Sequence, residues 1–581
     1  MRPARSQGLV RLLADGEGSA PAAERRRPGR DWLWLLPPVA AGAFLRLFRL
    51  GPQLLIYDEL HAPRTVVRLG LPEILTSYLP SDNSIPLTAF YEVLAAQGTA
   101  LTELHLRLPS IVAGLLALVV VPVALSRRLG REAGPWAAWL VAISPGLVFY
   151  SRVARSYMPA VLLVFVAAMA FERWWRTGSR RSGAGYVLAA AGAVWLHLGA
   201  GPIAAAPLLW AAGAKTARPR AGRSVGGIVL IGLAFAACCA VFLVPARESL
   251  SALLAAKSGS GRPGAAALGE VLFLQAGAVG PFAALLFWAL AVLGLAVLAR
   301  RRPAFAGLTP VLVGAQAAAL LIAAPFGVSS PTILNRYLLV GLPFVLAWAA
   351  AGLAAAWRAA GERTGPARWA GRAAVAAAVP LLVLGGPLDD RRLLHSSFLT
   401  HDDFLEFSEP APRMVAPELV PEFYRRLAAA PGDGAVIEAP ALPTWVWQTH
   451  LRIYQDVHRR RVLLAPSEPA VFRGELAFAN YVEPEPAALA SAPARWLALH
   501  RKSDWELDRV DVGGTVGLPL GPEMRSWSRR TARRLGRRLE RLWGPPDYAD
   551  ELLLVWDLER VRRGRDGAGG GLGSRGAGGA G

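Results

Sequence analysis

The sequence has few charged residues and almost no cysteine. Of its 581 residues, 18% are charged and 54% are hydrophobic, which excludes a purely water-soluble fold, because such a chain needs lipid around much of its surface. The two cysteines, Cys238 and Cys239, are adjacent within an apolar run. They therefore cannot easily bridge each other and lack metal-ligand spacing, and we interpret both as packing residues.

Acidic residues are also scarce beside basic ones, and the formal net charge is +21. In a soluble protein this excess would suggest a nucleic-acid partner, since clustered arginines neutralise phosphates. Here much of the charge lies in short runs between apolar stretches, where it orients membrane helices. The pattern favours membrane lipids, not nucleic acid, as the surroundings of the chain.

The N-terminal region lacks a small-residue cleavage site after its first apolar run, so this run predicts a retained helix and not a removable signal. The basic segment before it, residues 1–30, is predicted to be cytoplasmic and disordered. Ten further apolar runs give about eleven predicted spans in a transmembrane domain of residues 31–386, and the two between Ala184 and Ala214 could be one kinked element. The further runs begin near Arg107, Gly134, Tyr157, Ala184, Gly201, Val225, Gly277, Ala306, Arg336 and Ala367.

Positive charge alternates along the predicted loops and indicates the orientation of the chain. Every second loop is basic, as in the runs Arg127–Arg131, Arg173–Arg181 and Arg300–Arg302, whereas the loops between them hold fewer cations. Basic loops remain in the cytoplasm. The sequence therefore predicts a multi-pass protein of the cell (plasma) membrane, a bacterial inner membrane, with a cytoplasmic N terminus and an extracytoplasmic C-terminal region.

The region 387–563 has a different character and predicts a soluble extracytoplasmic domain of α/β or α+β type. Its apolar runs shorten to strand length, as in AVIEA from Ala435 and RVLLA from Arg461. A basic helix is predicted from Arg525 to Arg541, with Trp527, Leu535, Leu539 and Leu542 near helical spacing. Its arginines either contact anionic lipid headgroups or form a solvated face. The Gly-rich tail, residues 564–581, is predicted to be disordered.

The first predicted extracytoplasmic loop, residues 51–103, contains candidate catalytic carboxylates. Asp58 and Glu59 follow the first span closely, at the water interface, where a carboxylate can stay ionised and act as a base or metal ligand. Alternatively, the pair caps the next short helix. Asp82 and Asn83 precede Pro86, which would start a short amphipathic helix, and they could line the same cavity.

Cations and aromatic residues recur where later spans reach the predicted outer boundary. Arg152, Arg155 and Tyr157 follow the third span, and two arginines there could hold a phosphate headgroup, unless they only extend their charges to the interface. His197 lies at the end of the fifth span and is either a packed residue or part of the cavity. Arg336 and Tyr337, in the motif NRY, lie where the tenth span leaves the membrane.

These motifs, in this order, resemble the polyprenyl-phosphate-sugar-dependent glycosyltransferases of the GT-C fold. The likeness is to the family 39 type, which includes protein O-mannosyltransferases, the aminoarabinose transferase of lipid A and bacterial galacturonic acid transferases, and it covers roughly Trp32 to Gly386. The matches are the acidic pair Asp58-Glu59, Pro86-Leu87 at the end of the xPPL element, LRLPS from Leu106, SPGLVFYSRVARSY from Ser144, the His197 turn and the NRY motif.

Two departures restrict what the resemblance transfers. The family often has His, Lys or Glu before a Pro pair in the first loop, where this chain has Asn83-Ser84-Ile85-Pro86. A second catalytic or metal-binding group there is therefore not supported. The family's Glu-Ala-Arg after the third span is Val153-Ala154-Arg155 here, so only the arginine is carried over.

The resemblance implies an enzyme that moves a sugar from a polyprenyl-phosphate donor to an envelope lipid, glycan or protein, with inversion at the anomeric carbon. In this hypothesis Asp58 is the general base, Glu59 supports it or binds the acceptor, and Arg155, Arg336 and Tyr337 bind the donor phosphate. Arg152, Tyr157, His197, Asp82 and Asn83 are possible cavity-lining residues. No cofactor is certain, and a divalent metal ion stays open.

Two other functions remain as alternatives. A transporter or flippase of a lipid-linked glycan would also need a polar cavity, but the sequence predicts neither the internal repeats nor the broken helices typical of transporters. A non-catalytic membrane scaffold would leave the acidic pair and the matching arginines without a purpose. The sequence does not identify the sugar, the acceptor or the oligomeric state.

Overall fold

The computed structural model describes residues 33–48, 50, 55, 59, 61–78, 84–99, 101–217, 224–258, 261–278, 280–384, 420–440, 451, 454–455, 457–464, 485–501 and 522–569. The chain divides into two compact units. The first comprises Met1–Phe48, Gly70–Phe90 and Arg107–Arg391, and the second comprises Arg49–Leu69, Tyr91–Leu106 and Arg392–Gly581. Two parts of the first predicted loop thus belong to the same unit as the C-terminal region.

The helices up to residue 384 follow the predicted apolar runs. They are α1 Leu36–Leu47, α2 His61–Arg68, α3 Leu71–Leu75, α4 Ile85–Ala96, α5 Glu103–Leu129, α6 Ala133–Ile143, α7 Pro145–Ser151, α8 Tyr157–Thr177, α9 Arg180–Leu196, α10 Gly201–Ala217, α11 Val225–Leu243, α12 Arg247–Lys257, α13 Ala265–Ala276, α14 Pro281–Arg301, α15 Pro303–Ala323, α16 Pro331–Leu338, α17 Leu342–Gly361 and α18 Gly365–Leu384. Short 3₁₀ turns cover Leu33–Leu35, Leu198–Ala200 and Leu339–Gly341.

The chain is a multi-pass membrane protein by the length and composition of these helices. Within the described ranges, seven helices are long and apolar enough to span a membrane, and the bent pair α6–α7 makes eight if it is one span. The other three predicted spans are also helical, but shorter: Leu33–Leu47 is an apolar helix below spanning length, and α9 and α10 have 17 residues each. The prediction of a polytopic helical fold is confirmed, and the orientation of the chain stays a prediction.

Helix α17 forms the centre of the first unit. In the span Ile333–Gly361, which includes most of α16 and all of α17, 94% of the apolar stretch is buried, whereas in the spans α11 and α18 only 17% is buried and apolar side chains face outwards. A buried span must have a surface that other helices can approach closely. Here Gly294 on α14 and Gly352 on α17 allow contact between the two backbones. A Cβ at Gly294 would lie 1.8 Å from the Trp348 carbonyl oxygen, and one at Gly352 would lie 2.0 Å from that of Leu290.

The third predicted span is broken, which corrects the expectation that the chain has no broken helix. Helix α6 ends at Ile143 and α7 begins at Pro145, with a bend of 56° between them. Proline lacks the N–H that would continue the helix, so carbonyl groups before it lose their helical partners. In hydrocarbon, such groups must be satisfied by other donors.

The side chain of Arg46, on α1, supplies these donors. Arg46 is fully buried, and its guanidinium donates to the carbonyl oxygens of Val141 at 3.0 Å and Ala142 at 3.1 Å. It also donates to the Ser151 hydroxyl at 3.2 Å. Gly114 leaves the space for this contact, since a Cβ there would lie 2.2 Å from Ser151 Oγ. A glycine at this position therefore allows α5 to pack closely against α7.

Among its described residues, the C-terminal region contains a mixed five-stranded sheet with helices on both faces. Its strands are β1 Val436–Ala439, β2 Val462–Leu464, β3 Trp496–His500, β4 Tyr548–Ala549 and β5 Leu553–Asp557, in the order β2-β1-β3-β5-β4. β1 is parallel to β2 and β3, whereas β5 is antiparallel to β3 and β4. The helices are α19 Glu422–Ala429, α20 Pro486–Ser491, α21 Pro522–Trp543 and α22 Leu558–Gly569. The two strands predicted from AVIEA and RVLLA are confirmed.

Alternation along the strands produces two apolar cores in this domain. Ile437 and Leu497 face one core with Leu535 and Leu539 of α21, whereas Val436 and Ala498 face the other with Tyr424 of α19. The basic helix predicted from Arg525 to Arg541 thus exists as α21 and contributes Leu535 and Leu539 to a core, whereas Leu542 is exposed.

Some predicted segments lie outside the described residues. These are residues 1–30 and most of the Gly-rich tail, residues 570–581. The beginning of the predicted tail is helical, because α22 runs to Gly569.

We expect Gly294→Ala to destabilise the helical unit, because the added methyl group would overlap a carbonyl oxygen of α17. Overpacking of this kind costs about 1–3 kcal/mol. Thermal unfolding of the purified protein in detergent measures the effect. Gly314→Ala is the matched control, since nothing lies within 4 Å of a Cβ at that helical position. Equal unfolding temperatures for the two variants would contradict the close contact.

Candidate functional site

Two arginines and three aromatic rings of the first unit form what we call the arginine–aromatic cluster. Its members are Arg155, Tyr157, His197, Arg336 and Tyr337. Arg155 lies in the turn between α7 and α8, and Tyr157 begins α8. His197 has an extended backbone between α9 and the following 3₁₀ turn, so the helix stops there. Arg336 and Tyr337 lie in α16. Helix ends from three regions of the sequence therefore meet at one place.

The rings in this cluster pack in a defined order around His197. Its ring is nearly parallel to that of Tyr337, at 5.7 Å between centroids and 9° between planes, and meets that of Tyr157 edge-on at 4.9 Å. The guanidinium carbon of Arg336 lies 5.5 Å from the Tyr157 centroid and 5.7 Å from the Tyr337 centroid. These distances permit cation–π attraction, which holds the Arg336 guanidinium against both rings.

Two buried glutamine side chains form hydrogen bonds with residues next to the cluster or with its backbone. Gln316, in α15, is fully buried, and its Nε2 donates to the carbonyl oxygens of Gly199 at 2.8 Å and Tyr337 at 3.0 Å. Its Oε1 accepts from the Ile203 N–H at 3.3 Å. Gln275 donates to Asn335, the residue before Arg336. Sequence reasoning missed both glutamines, although a polar residue inside an apolar run is itself a signal of a functional or structural role.

The two arginines of the α7–α8 turn have different surroundings. Arg152 is buried and donates to the carbonyl oxygens of Leu45 at 3.0 Å and Phe48 at 2.9 Å, so it satisfies the C-terminal end of α1. Arg155 is half-buried, and its own carbonyl oxygen accepts from the Ser110 hydroxyl at 2.7 Å. The turn is therefore fixed from α5 and α1, and the Arg155 charge acts on the His197 ring.

His197 has an unused hydrogen-bonding atom at the centre of this positive environment. The residue is 5% exposed, and its Nε2 has no hydrogen-bond partner among the described residues. The charges of both Arg336 and Arg155 act on its ring. Gly199 leaves room for Nε2, since a Cβ there would lie 2.9 Å away. Two guanidinium groups and one imidazole nitrogen are a combination that suits a phosphate group.

The predicted acidic residues of the first loop lie mostly outside the described residues. Asp58, Asp82 and Asn83 are among those not described. Glu59 is described, belongs to the second unit and is 1% exposed. His61 and Thr65, in α2, are buried in the same part of the chain. The catalytic roles of Asp58 and Glu59 and the cavity-lining roles of Asp82 and Asn83 stay predictions.

An ion pair joins the end of this loop to the C-terminal domain within the second unit. The Arg461 Nε donates to both carboxylate oxygens of Glu103, each at 3.1 Å. The Glu103 side chain is 8% exposed and that of Arg461 is 28% exposed. A pair so shielded from solvent interacts more strongly than a surface pair. Sequence reasoning could not find it, because 358 residues separate the partners.

The C-terminal domain also has a buried polar cluster that the sequence did not reveal. Glu438, in β1, and His500, at the end of the neighbouring parallel strand β3, are fully buried, and Glu438 Oε2 lies 2.6 Å from His500 Nε2. The Tyr424 hydroxyl donates to the Glu438 carboxylate at 2.8 Å, and its ring stacks on Tyr454. Burial, with a smaller contribution from the Arg460 charge, lowers the pKa of nearby His458 to about 3, so this imidazole is neutral at neutral pH.

No group of three or more His, Cys, Asp or Glu residues in the described part of the chain could hold a metal ion.

No family model matches the chain, and no curated protein matches it. Among solved structures, it is similar to ArnT from Cupriavidus metallidurans in the apo state, with 14% identity and a TM-score of 0.42 over 83% of this chain and 95% of that chain. The structure of the same protein bound to undecaprenyl phosphate has 14% identity and a TM-score of 0.42, over 82% of this chain and 95% of that chain. The chain is also similar to the archaeal oligosaccharyltransferase AglB from Archaeoglobus fulgidus, in complex with an inhibitory peptide and a dolichol-phosphate. The identity is 11% and the TM-score is 0.44, over 82% of this chain and 70% of that chain. Likeness at these values establishes neither a shared activity nor a shared ligand.

We expect Arg461→Met to destabilise the second unit by about 1–3 kcal/mol, because it leaves the Glu103 carboxylate buried without its cation. The charge exchange Glu103→Arg with Arg461→Glu should restore part of that loss. Thermal unfolding together with limited proteolysis of the first loop measures both effects. Glu422→Gln is the control, since it removes only the exposed pairs with Arg425 and Arg426. If the double variant lost as much stability as the two single charge reversals together, a direct interaction between the side chains would be contradicted.

Proposed function

We propose that the chain is a membrane glycosyltransferase that moves a sugar from a polyprenyl-phosphate donor to an envelope lipid, glycan or protein. The single observation that carries this proposal is the arginine–aromatic cluster, in which Arg336 stacks on Tyr157 and Tyr337, the charges of Arg155 and Arg336 act on His197, and the Nε2 of His197 has no hydrogen-bond partner among the described residues. A polyprenyl phosphate combines an apolar chain with an anionic head. Cations at the ends of apolar helices match both parts of such a donor.

In the proposed reaction, the acceptor hydroxyl attacks the anomeric carbon of the donor sugar, and the bond from that carbon to the phosphate oxygen breaks. The Asp58 carboxylate takes the hydroxyl proton, and Glu59 supports it. The polyprenyl phosphate leaves with the bonding electrons, and its growing negative charge is stabilised by Arg155 and Arg336. One displacement inverts the anomeric configuration. No step uses a metal ion, and the requirement for a divalent metal is a separate question for experiment.

The cluster contributes mainly by fixing these positive groups before the donor arrives. The stacking of Arg336 on two rings and the hydrogen bonds of Gln316 hold the cluster in place. A preorganised group stabilises the leaving phosphate without having to reorient during the reaction. Tyr337 acts in this proposal through its ring, which positions both His197 and Arg336.

A flippase of a lipid-linked glycan is the second candidate, and the broken span α6–α7 favours it, because transporters commonly contain discontinuous helices. In this chain the break is filled by Arg46. A filled break serves packing and does not provide a free backbone site for a substrate. We therefore prefer the transferase.

Incubation of the purified protein with polyprenyl-phosphate-linked radiolabelled sugars and envelope extracts tests the proposed function. A transferase forms a new glycosidic bond in a labelled envelope product, whereas a flippase or a scaffold forms none. Mass spectrometry of envelope glycolipids and glycoproteins, with and without the gene, identifies the acceptor.

We expect Asp58→Asn to lower transfer at least about 100-fold, because the amide cannot take the acceptor proton. Membrane insertion and donor binding should be unchanged. Glu73→Gln, which alters an exposed carboxylate of α3 in the same predicted loop, is the control and should retain activity. Normal transfer by the Asp58→Asn variant would remove this residue from the mechanism.

We expect Arg336→Met and His197→Phe each to weaken binding of polyprenyl phosphate about 10-fold or more, because each removes a polar group suited to the phosphate. Phenylalanine keeps a ring that can stack on Tyr337. Inhibition of transfer by added polyprenyl phosphate measures the affinity. Arg247→Met, at an exposed position, is the control. Unchanged affinity in both cluster variants would place the phosphate elsewhere.

A further inference from the structure

Helix α21 of the C-terminal domain has one face made almost entirely of arginine. We call this the arginine face, and its members are Arg529, Arg530, Arg533, Arg534, Arg537, Arg538 and Arg541. At about 100° per residue they occupy roughly half of the helix circumference, over a length of about 18 Å. Arg538 is half-buried, and the others are exposed.

The opposite side of α21 explains why the helix forms, and it does not involve the arginines. Ala532, Leu535, Leu539 and Trp543 are buried in a core with the sheet. This apolar stripe fixes the helix to its domain. A folded helix would result equally well with a mixture of acidic and basic residues outside.

The arrangement of the arginines opposes helix stability. Like charges spaced i,i+4 repel each other on a helix surface. Several pairs have this spacing: Arg529 and Arg533, Arg530 and Arg534, Arg533 and Arg537, Arg534 and Arg538, and Arg537 and Arg541. Between Arg529 and Arg541 the only acidic residue in the sequence is Glu540, and Arg538 pairs with Glu485 at 3.0 Å. This stretch of the helix thus contains seven arginines and one acidic residue, a composition that suits an anionic partner.

We infer that the arginine face binds the anionic phospholipid headgroups of the membrane that the chain spans. The seven long spans tie the chain permanently to a bilayer, so this surface is always available to it. Guanidinium groups match phosphate oxygens in geometry and charge. Leu542 follows the last arginine and is 60% exposed, and an apolar side chain at that position suits the boundary between headgroups and acyl chains. This inference does not depend on the proposed catalytic activity.

A lipid-phase quenching experiment on the full-length protein tests the inference. A fluorophore is attached at Leu542→Cys in a chain carrying Cys238→Ala and Cys239→Ala. The protein is placed in nanodiscs of phosphatidylcholine alone or mixed with phosphatidylglycerol, each containing a lipid-bound quencher. We expect stronger quenching with phosphatidylglycerol, and loss of that difference at high salt, because salt screens these charges.

Variants of the arginine face separate charge from structure. Replacing Arg529, Arg533, Arg537 and Arg541 by glutamine should abolish the dependence on phosphatidylglycerol, since each cation near such a surface strengthens binding about fivefold. Replacement of the same four by lysine should preserve it. The lysine variant keeps the experiment decisive if the glutamine variant fails to fold. Arg425→Gln with Arg426→Gln, on the exposed side of α19, is the matched control and should behave as the parent does.

A label at Ala549→Cys, an exposed position on β4, reports whether quenching is specific to α21. Equal quenching in both lipid mixtures at Leu542→Cys would overturn the inference. It would also be overturned if phosphatidylglycerol had no effect while a soluble sulfated glycan changed the fluorescence, because the partner would then be a polyanionic glycan.

Discussion

Two buried arginines hold the helical unit together by satisfying each other's helix ends. Arg46, from α1, donates to carbonyl groups at the break between α6 and α7. Arg152, from the turn after α7, donates to carbonyl groups at the end of α1. Each arginine thus stabilises the element that carries the other. Because the same turn continues into Arg155 and Tyr157, the position of the arginine–aromatic cluster depends on this reciprocal contact.

The helical part of the fold could be predicted because apolar runs of spanning length have few other solutions in a membrane. Seven of the predicted spans are helices of spanning length in the described residues, and the C-terminal strands follow from short apolar runs. The break at Ser144–Pro145 was not predicted, since a proline inside an apolar run is also compatible with a continuous, kinked helix. What decides between the two is the distant side chain of Arg46, and no local pattern contains that information.

The candidate site was predictable to the extent that its residues differ from their apolar surroundings. Tyr157, His197, Arg336 and Tyr337 stand out at the ends of apolar runs, and the structure brings them together. The residues that support them were missed. Gln316 interrupts α15 without any motif, and Glu438 with His500 become neighbours only through strand pairing. Both cases depend on contacts between distant parts of the sequence, which composition and spacing do not reveal.

The Glu103–Arg461 pair also has a consequence for the order in which the protein is made. A ribosome synthesises the chain from its N terminus, so the first loop is complete long before Arg461 emerges. Because Arg49–Leu69 and Tyr91–Leu106 share a compact unit with the C-terminal domain, they lack the contacts that this domain supplies, such as that of Arg461, during that interval. The helical unit can therefore fold in the membrane before the first loop completes its contacts. In a protein truncated before the C-terminal domain, the first loop would lack these contacts.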